Sequence, residues 1–227
     1  MLILALDAST AAVTVAMARV RDGEREVLAE VSCGSRGASE TLLPSVHTAL
    51  ELAGEKLEAV ERIVVGTGPG TFTGIRIAVA TAHALSSASG IGLCAGSTLA
   101  ALAAPALSAA ETGVLAVLDA KRGQVFAQEF SADGEEGGVL CLKPGELRRR
   151  VPSGELLVVG DGAVRYRKEF SALGRIPPDV SPLNRVSAAG HVLASGLEPS
   201  PPEKVLPLYV REPDAEVRRD RNPWSRP

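Results

Sequence analysis

Apolar positions along this chain run in short blocks or alternate with polar ones, and their spacing predicts strands interleaved with helices. Leu2-Ile3-Leu4-Ala5-Leu6 is a strand candidate ending at Asp7, and residues 13–18 alternate as a second strand. The charged turn Arg21-Asp22-Gly23-Glu24 leads to a third, over 26–31. A helix is expected from about Thr41, with Leu43, Val46, Leu50 and Ala53 at helical spacing. Pro44 falls in its first turn, where backbone donors have no internal partner. Ile63-Val64-Val65 then reads as a strand, 75–87 as an alanine-rich helix and 91–95 as a short strand, with another helix from Thr98.

The second half repeats this grammar. Ala116-Val117-Leu118-Asp119-Ala120 echoes Leu4-Ala5-Leu6-Asp7-Ala8, and residues 125–130 supply a paired strand. Leu157-Val158-Val159-Gly160-Asp161-Gly162 echoes Val64-Val65-Gly66-Thr67-Gly68. Two echoes in the same order predict two similar α/β lobes, each a mixed sheet with packed helices. The expected division is 1–108 for the first lobe, 109–211 for the second and 212–227 for a polar tail. That tail, with Arg218-Arg219-Asp220-Arg221-Asn222-Pro223, is expected to be disordered.

Between the strand at 63–65 and the following helix lies Gly68-Pro69-Gly70-Thr71-Phe72-Thr73-Gly74. Glycines let a backbone or an anion approach closely, and Thr71 or Thr73 could cap the helix. Such a turn either cradles a phosphate or locks a helix against a sheet. It resembles the signature loop of the TsaB family, the non-catalytic partner in bacterial tRNA threonylcarbamoyladenosine synthesis. Four further segments resemble that family in order: Ile3-Leu4-Ala5-Leu6-Asp7-Ala8-Ser9-Thr10, Ser39-Glu40-Thr41-Leu42-Leu43-Pro44, Val117-Leu118-Asp119-Ala120-Lys121-Arg122-Gly123-Gln124-Val125-Phe126 and Pro207-Leu208-Tyr209-Val210-Arg211. One departure is Ala38, where many relatives carry histidine before Ser-Glu. The resemblance implies the actin/hexokinase/Hsp70-like (ribonuclease-H-like) superfold, whose lobes flank a nucleotide cleft.

Composition narrows the function classes. With 227 residues, 45% of them apolar, the chain can fill a substantial core. A net charge of −3 and 3% aromatics argue against a protein whose main surface binds nucleic acid. Arg148-Arg149-Arg150 and the stretch 165–168 are local basic clusters, read as solvated faces or as a secondary tRNA contact. Cys33, Cys94 and Cys141 are odd in number and widely spaced, which fits reduced thiols in a cytoplasmic protein. No secretory signal is evident, and the apolar stretch 99–110 is too short to span a bilayer.

Candidate chemistry is sparse. Asp7 and Asp119 sit where strands meet turns, and two readings stay open for each: acceptors for their own turn, or contact with a bound nucleotide. The loop lacks a Gly-Lys-Ser/Thr ending and is not a P-loop. His47, His83 and His191 are scattered without metal-ligand spacing and read as surface or interface polarity. Ser9, Ser39 and Ser97 stand outside any Gly-x-Ser-x-Gly elbow. Arg76 is expected to pair with a carboxylate or a partner's backbone, or to bind an anion.

What remains is surface. The 75–87 helix is small-residue-rich, with Ile75, Val79 and His83 on one stripe, and Leu42, Leu43, Val46, Ala49 and Leu50 spread around the earlier helix. Apolar faces beyond one sheet-facing stripe are read as an interface made by Leu42, Val46, Leu50, Ile75, Arg76, Val79 and His83, with burial inside the chain as the alternative. The resemblance implies no catalytic residue, metal or cofactor in this chain. It implies binding to a TsaD-like catalytic subunit with a TsaE-like ATPase joining, a homodimer when alone, and tRNA reached through the complex. A kinase or ATPase of the same superfold stays open as an alternative, and a metallopeptidase-like protein as a further one.

Overall fold

The structure, a computed structural model, describes residues 1–34, 37–108, 110, 112–132, 137–152 and 154–211. The tail expected at 212–227 lies outside the described residues. The first lobe contains strands β1 (Leu2–Asp7), β2 (Ala12–Arg21), β3 (Glu24–Gly34), β4 (Arg62–Gly68) and β5 (Gly92–Ser97). The same half of the chain carries helices α1 (Ala38–Ala53), α2 (Phe72–Ser89) and α3 (Thr98–Leu107). The second lobe has β6 (Val114–Asp119), β7 (Val125–Phe130), β8 (Leu140–Leu142), β9 (Leu156–Val159) and β10 (Gly174–Arg175). The second half of the chain also carries helices α4 (Pro144–Arg150), α5 (Asp161–Arg165), α6 (Arg167–Phe170) and α7 (Ala188–Ala194).

The two sheets share one topology. The first has the order β3-β2-β1-β4-β5 and the second β8-β7-β6-β9-β10. In each, the first three strands in the chain pair antiparallel and the last two join parallel. Strand β6 thus takes the place of β1, and β9 that of β4, as the echoes in the sequence require. This duplicated two-lobe α/β fold is that of the actin/hexokinase/Hsp70-like superfold.

Layering follows from strand alternation. Leu4 and Leu6 point to one face of the first sheet, under Leu42, Val46, Ile75 and Val79 of α1 and α2. Ile3 and Ala5 point to the other, against Ala188 and Val192 of α7. Burial on both sides explains the unbroken apolar run of β1. In the second sheet Ala116 and Leu118 meet Leu99 and Leu102 of α3, while Leu115 and Val117 meet Leu147, Ala163 and Phe170 of α4 to α6. Helices α3 and α7 therefore lie between the sheets, each covering the sheet of the opposite half of the chain. A Cβ on Gly190 would stand 2.1 Å from the Ala101 carbonyl oxygen, so only glycine permits that α7–α3 approach.

Helix α7 is clamped to the β2–β3 hairpin at both ends. The Ala188 and Ala189 amides donate to Thr14 Oγ1 and Glu30 Oε1, both at 3.1 Å. Arg25 donates to the carbonyls of Val192, Leu193 and Ser195 at the other end. An acid at the N-terminus and a cation at the C-terminus complement the helix dipole.

Three expectations move. Helix α1 begins at Ala38, not near Thr41, and its inward stripe is Leu42, Ser45, Val46 and Ala49, which leaves Leu43 55% exposed. Helix α2 begins at Phe72, with Gly74 already helical. Thr71 occupies its N-cap, yet its side chain makes no capping bond.

Candidate functional site

Asp7, at the end of β1, is completely buried and accepts four hydrogen bonds. Its Oδ1 receives the Ser9 amide (2.6 Å) and hydroxyl (2.7 Å), and its Oδ2 receives Thr98 Oγ1 (3.2 Å) and His191 Nε2 (2.7 Å). A carboxylate only accepts, so His191 Nε2 carries the shared proton. The cluster is walled by glycines. A Cβ on Gly66 would lie 1.9 Å from Asp7 Oδ2, and one on Gly96 2.5 Å from His191 Nδ1. Burial alone would raise the Asp7 carboxyl. The bond and charge of His191, with Ser9, outweigh it and hold the group below the ordinary carboxylate range. Ser9, Asp7 and His191 are not ordered as a nucleophilic triad, because the carboxylate stands between the hydroxyl and the imidazole.

The 68–74 loop lies directly on the β1–β2 turn. Thr71 N donates to Ser9 O at 2.6 Å. A Cβ on Gly70 would stand 2.3 Å from Ser9 O, and one on Gly74 1.8 Å from Ala8 O. These glycines serve backbone-to-backbone approach, and the loop locks α2 to the sheet.

Between the lobes lies a cavity of about 700 Å³. The 70–73 loop and Arg76 line one side, and Asp119, Lys121 and Phe126 the other. The segment 208–211 lines it as well and straps the lobes together. Leu208 N donates to Thr67 O (2.8 Å) in the first lobe, and Arg211 to Ala120 O (2.7 Å) in the second. Arg76 lies 3.6 Å over the Phe72 ring and donates to the Tyr209 hydroxyl at 2.8 Å; the two rings are 4.8 Å apart. Asp119 Oδ2 is paired with Lys121 (3.0 Å) and Arg165 (3.2 Å), and its Oδ1 accepts the Lys121 amide (3.0 Å).

Similarity to known proteins points one way. The family model described as "TsaD: tRNA N6-adenosine threonylcarbamoyltransferase" matches residues 32–154. The Escherichia coli tRNA threonylcarbamoyladenosine biosynthesis protein TsaB is 34% identical over 171 residues, covering 71% of this chain and 72% of that protein. The chain belongs to the TsaB family. An uncharacterised Mycobacterium tuberculosis protein is 33% identical over 218 residues, 94% of this chain and 93% of its own length. Among solved structures, YeaZ from Pseudomonas aeruginosa superposes with a TM-score of 0.74 at 27% identity, over 92% of this chain and 99% of YeaZ.

In this TsaB-family chain the expected site residues divide. Asp119 lines the cavity; Asp7 is not among its lining residues and is fully buried with its four hydrogen bonds. Leu42, Val46, Ile75 and Val79 are buried in the chain's own core, and Leu50 packs half-buried against it. Arg76 finds aromatic rings and a phenol, not a carboxylate. His83 Nε2 lies 2.9 Å from Val205 O and holds the segment leading into the strap. His47 is exposed on α1, 3.4 Å from Glu51.

His191, expected at the surface or at an interface, is instead fully buried and bonded to Asp7. Neither it nor Thr98 was foreseen as a partner of Asp7. The available signal was Ser187 three residues before Gly190-His191, since Ser187 Oγ caps α7 by accepting from Gly190 N. Ser97 likewise caps α3, accepting from Ala100 N. Among the described residues no three His, Cys, Asp or Glu side chains are grouped to hold a metal, and no helix is long and apolar enough to cross a membrane.

Proposed function

We propose that this chain is an accessory, dimerising subunit of the assembly that transfers a threonylcarbamoyl group to the tRNA adenosine beside the anticodon. It acts in the cytoplasm by docking a TsaD-like catalytic subunit, with a TsaE-like ATPase joining, and contributes no catalytic group. The supporting observation is the outward face shared by α1 and α2. Leu43, 55% exposed, projects from α1, and Thr73, Ala80 and Ala84 lie on the open side of α2. Small side chains on one helix and an exposed leucine on the other suit helix-on-helix packing, which supports docking contacts one stripe away from Leu42, Val46, Ile75 and Val79. The same face would pair two copies when the catalytic subunit is absent. Family membership and the saturated bonding of Asp7 further support a non-catalytic role.

Co-purification with the cell's own TsaD-like protein, followed by a tRNA-modification assay with and without this chain, tests the reading. Modification should require the chain. Undiminished modification in its absence, or substrate turnover by the purified chain alone, would overturn it. The cavity favours one other reading, a nucleotide-binding kinase or ATPase of the same superfold, for which tight magnesium-dependent ATP binding by the isolated chain is the test.

A further inference from the structure

Charge is unevenly divided over this molecule. Residues 143–175 hold eight Lys and Arg against four Asp and Glu, while the other 194 residues hold sixteen against twenty-three. A net charge of −3 thus conceals a segment at +4 on a body at −7. That segment forms α4, α5, α6, β9 and β10. Leu147 of α4 and Phe170 of α6 pack on the outer face of the second sheet, leaving the polar side of this layer in solvent. Arg165 and Arg167 are committed to Asp119 and Asp179. Arg148, Arg149 and Arg150 in the last turn of α4, and Lys168 on α6, are exposed, and among the described residues no ion pair ties them to a carboxylate. Helix-dipole complementarity suits cations in that turn but does not explain an excess across the whole layer.

The layers run α1 and α2, first sheet, α7 and α3, second sheet, α4 to α6. At about 10 Å per layer the basic surface lies roughly 40 Å from the α1/α2 face, so both can be occupied at once. Guanidinium groups bind phosphate oxygens in pairs, and a surface without exposed aromatic platforms would hold an RNA backbone without reading bases. The negative remainder of the body would repel RNA elsewhere and orient it.

We propose that the outer layer of the second lobe, centred on Arg148, Arg149, Arg150 and Lys168, is a phosphate-contact surface that engages tRNA while α1 and α2 are docked to a partner. This rests on the reading of the chain as part of a tRNA-modifying assembly. The test is fluorescence anisotropy of labelled unmodified tRNA with the full-length chain, from about 50 to 200 mM KCl. Combined Arg148→Gln, Arg149→Gln and Arg150→Gln should weaken binding about tenfold or more at the low end. It should also reduce the slope of log affinity on log salt by about 0.7–0.9 per arginine, with co-purification of the TsaD-like protein retained. Lys168→Gln, away from that helix end, should act in the same direction to a smaller extent.

Equal affinity and slope for wild type and variants would overturn the proposal, as would the absence of salt-dependent tRNA binding by the wild type. So would variants that lose the protein partner but keep RNA, which would mark the patch as a site for an acidic protein surface. If modification proceeds without the chain while tRNA binding follows the arginines, the functional reading falls and the surface stands. If the chain is required and the arginines are silent, the surface alone falls.

Discussion

Asp7 and His191, 184 residues apart in the chain, meet through a 2.7 Å hydrogen bond that solvent does not reach. One ends the first strand and the other sits on α7, so the bond fastens the last helix to the first sheet. Removing one partner of a buried, hydrogen-bonded pair leaves the other without its counterpart. His191→Ala should destabilise the chain by about 3–5 kcal/mol, read as a lowered urea midpoint.

The same carboxyl sets an acid limit. Burial pushes Asp7 up, but His191 and Ser9 bring it below its ordinary value of 3.8. The folded chain therefore binds this proton less readily than the unfolded one. The resulting stability is fully present above the unfolded value and is lost as pH falls below it toward the folded value. Urea unfolding of wild type and Asp7→Asn across that window should show a shallower decline in the variant. Equal slopes would remove Asp7 from the acid transition.

Glycine substitutions should separate by what a methyl would meet. Gly74→Ala sets a Cβ against the Ala8 carbonyl, and Gly190→Ala against that of Ala101, both backbone groups that cannot swing aside. Each should lower the melting temperature by many degrees, as overpacking costs about 1–3 kcal/mol or more. At Gly145 in α4 a Cβ meets nothing within 4 Å, so alanine there should be neutral or stabilise by up to about 1 kcal/mol.

Val79 and Leu43 should respond oppositely to aspartate. Val79 is 5% exposed in the core, so Val79→Asp should unfold the isolated chain whatever it binds. Leu43→Asp should leave the isolated chain within about 0.5 kcal/mol of wild type. It should nevertheless weaken co-purification with a TsaD-like partner at least tenfold. Retained docking by a folded Leu43→Asp chain would count against the α1/α2 face.

Arg76 and Tyr209 should prove coupled. Tyr209→Phe removes the 2.8 Å bond but keeps the ring near Phe72, a loss of about 0.5–1.5 kcal/mol. Arg76→Ala also removes the cation from the Phe72 face. In a double-mutant cycle the two losses should fall short of additivity by about 1 kcal/mol, and strict additivity would mean the strap does not depend on this contact.

How much was legible depended on whether a pattern was local. Strands β1, β4, β6 and β9 announced themselves because a strand covered on both faces needs an apolar residue at nearly every position. The phase of α1 did not, because Leu42, Leu43, Val46 and Leu50 satisfy two adjacent stripes equally well. Only contact with the first sheet turned Leu42 inward and Leu43 out. The interface residues that spacing marks on α1 and α2 are therefore largely the core-facing ones, and only packing on the sheet defines the small outward face.

By itself, the sequence determined the duplicated α/β plan, the tight glycine loop and membership of the TsaB family, since these reside in runs and motifs of neighbouring residues. Tertiary structure alone decided that Asp7 is sealed by His191, that 208–211 straps the lobes, and that the charge of 143–175 gathers on one outer layer. The first two join segments that the chain keeps far apart, and the third needs the helices to be laid on one face of a sheet. Hydrogen bonds and burial across such distances leave no periodic trace, because nothing in the local spacing of residues records which strand or helix will be folded against them.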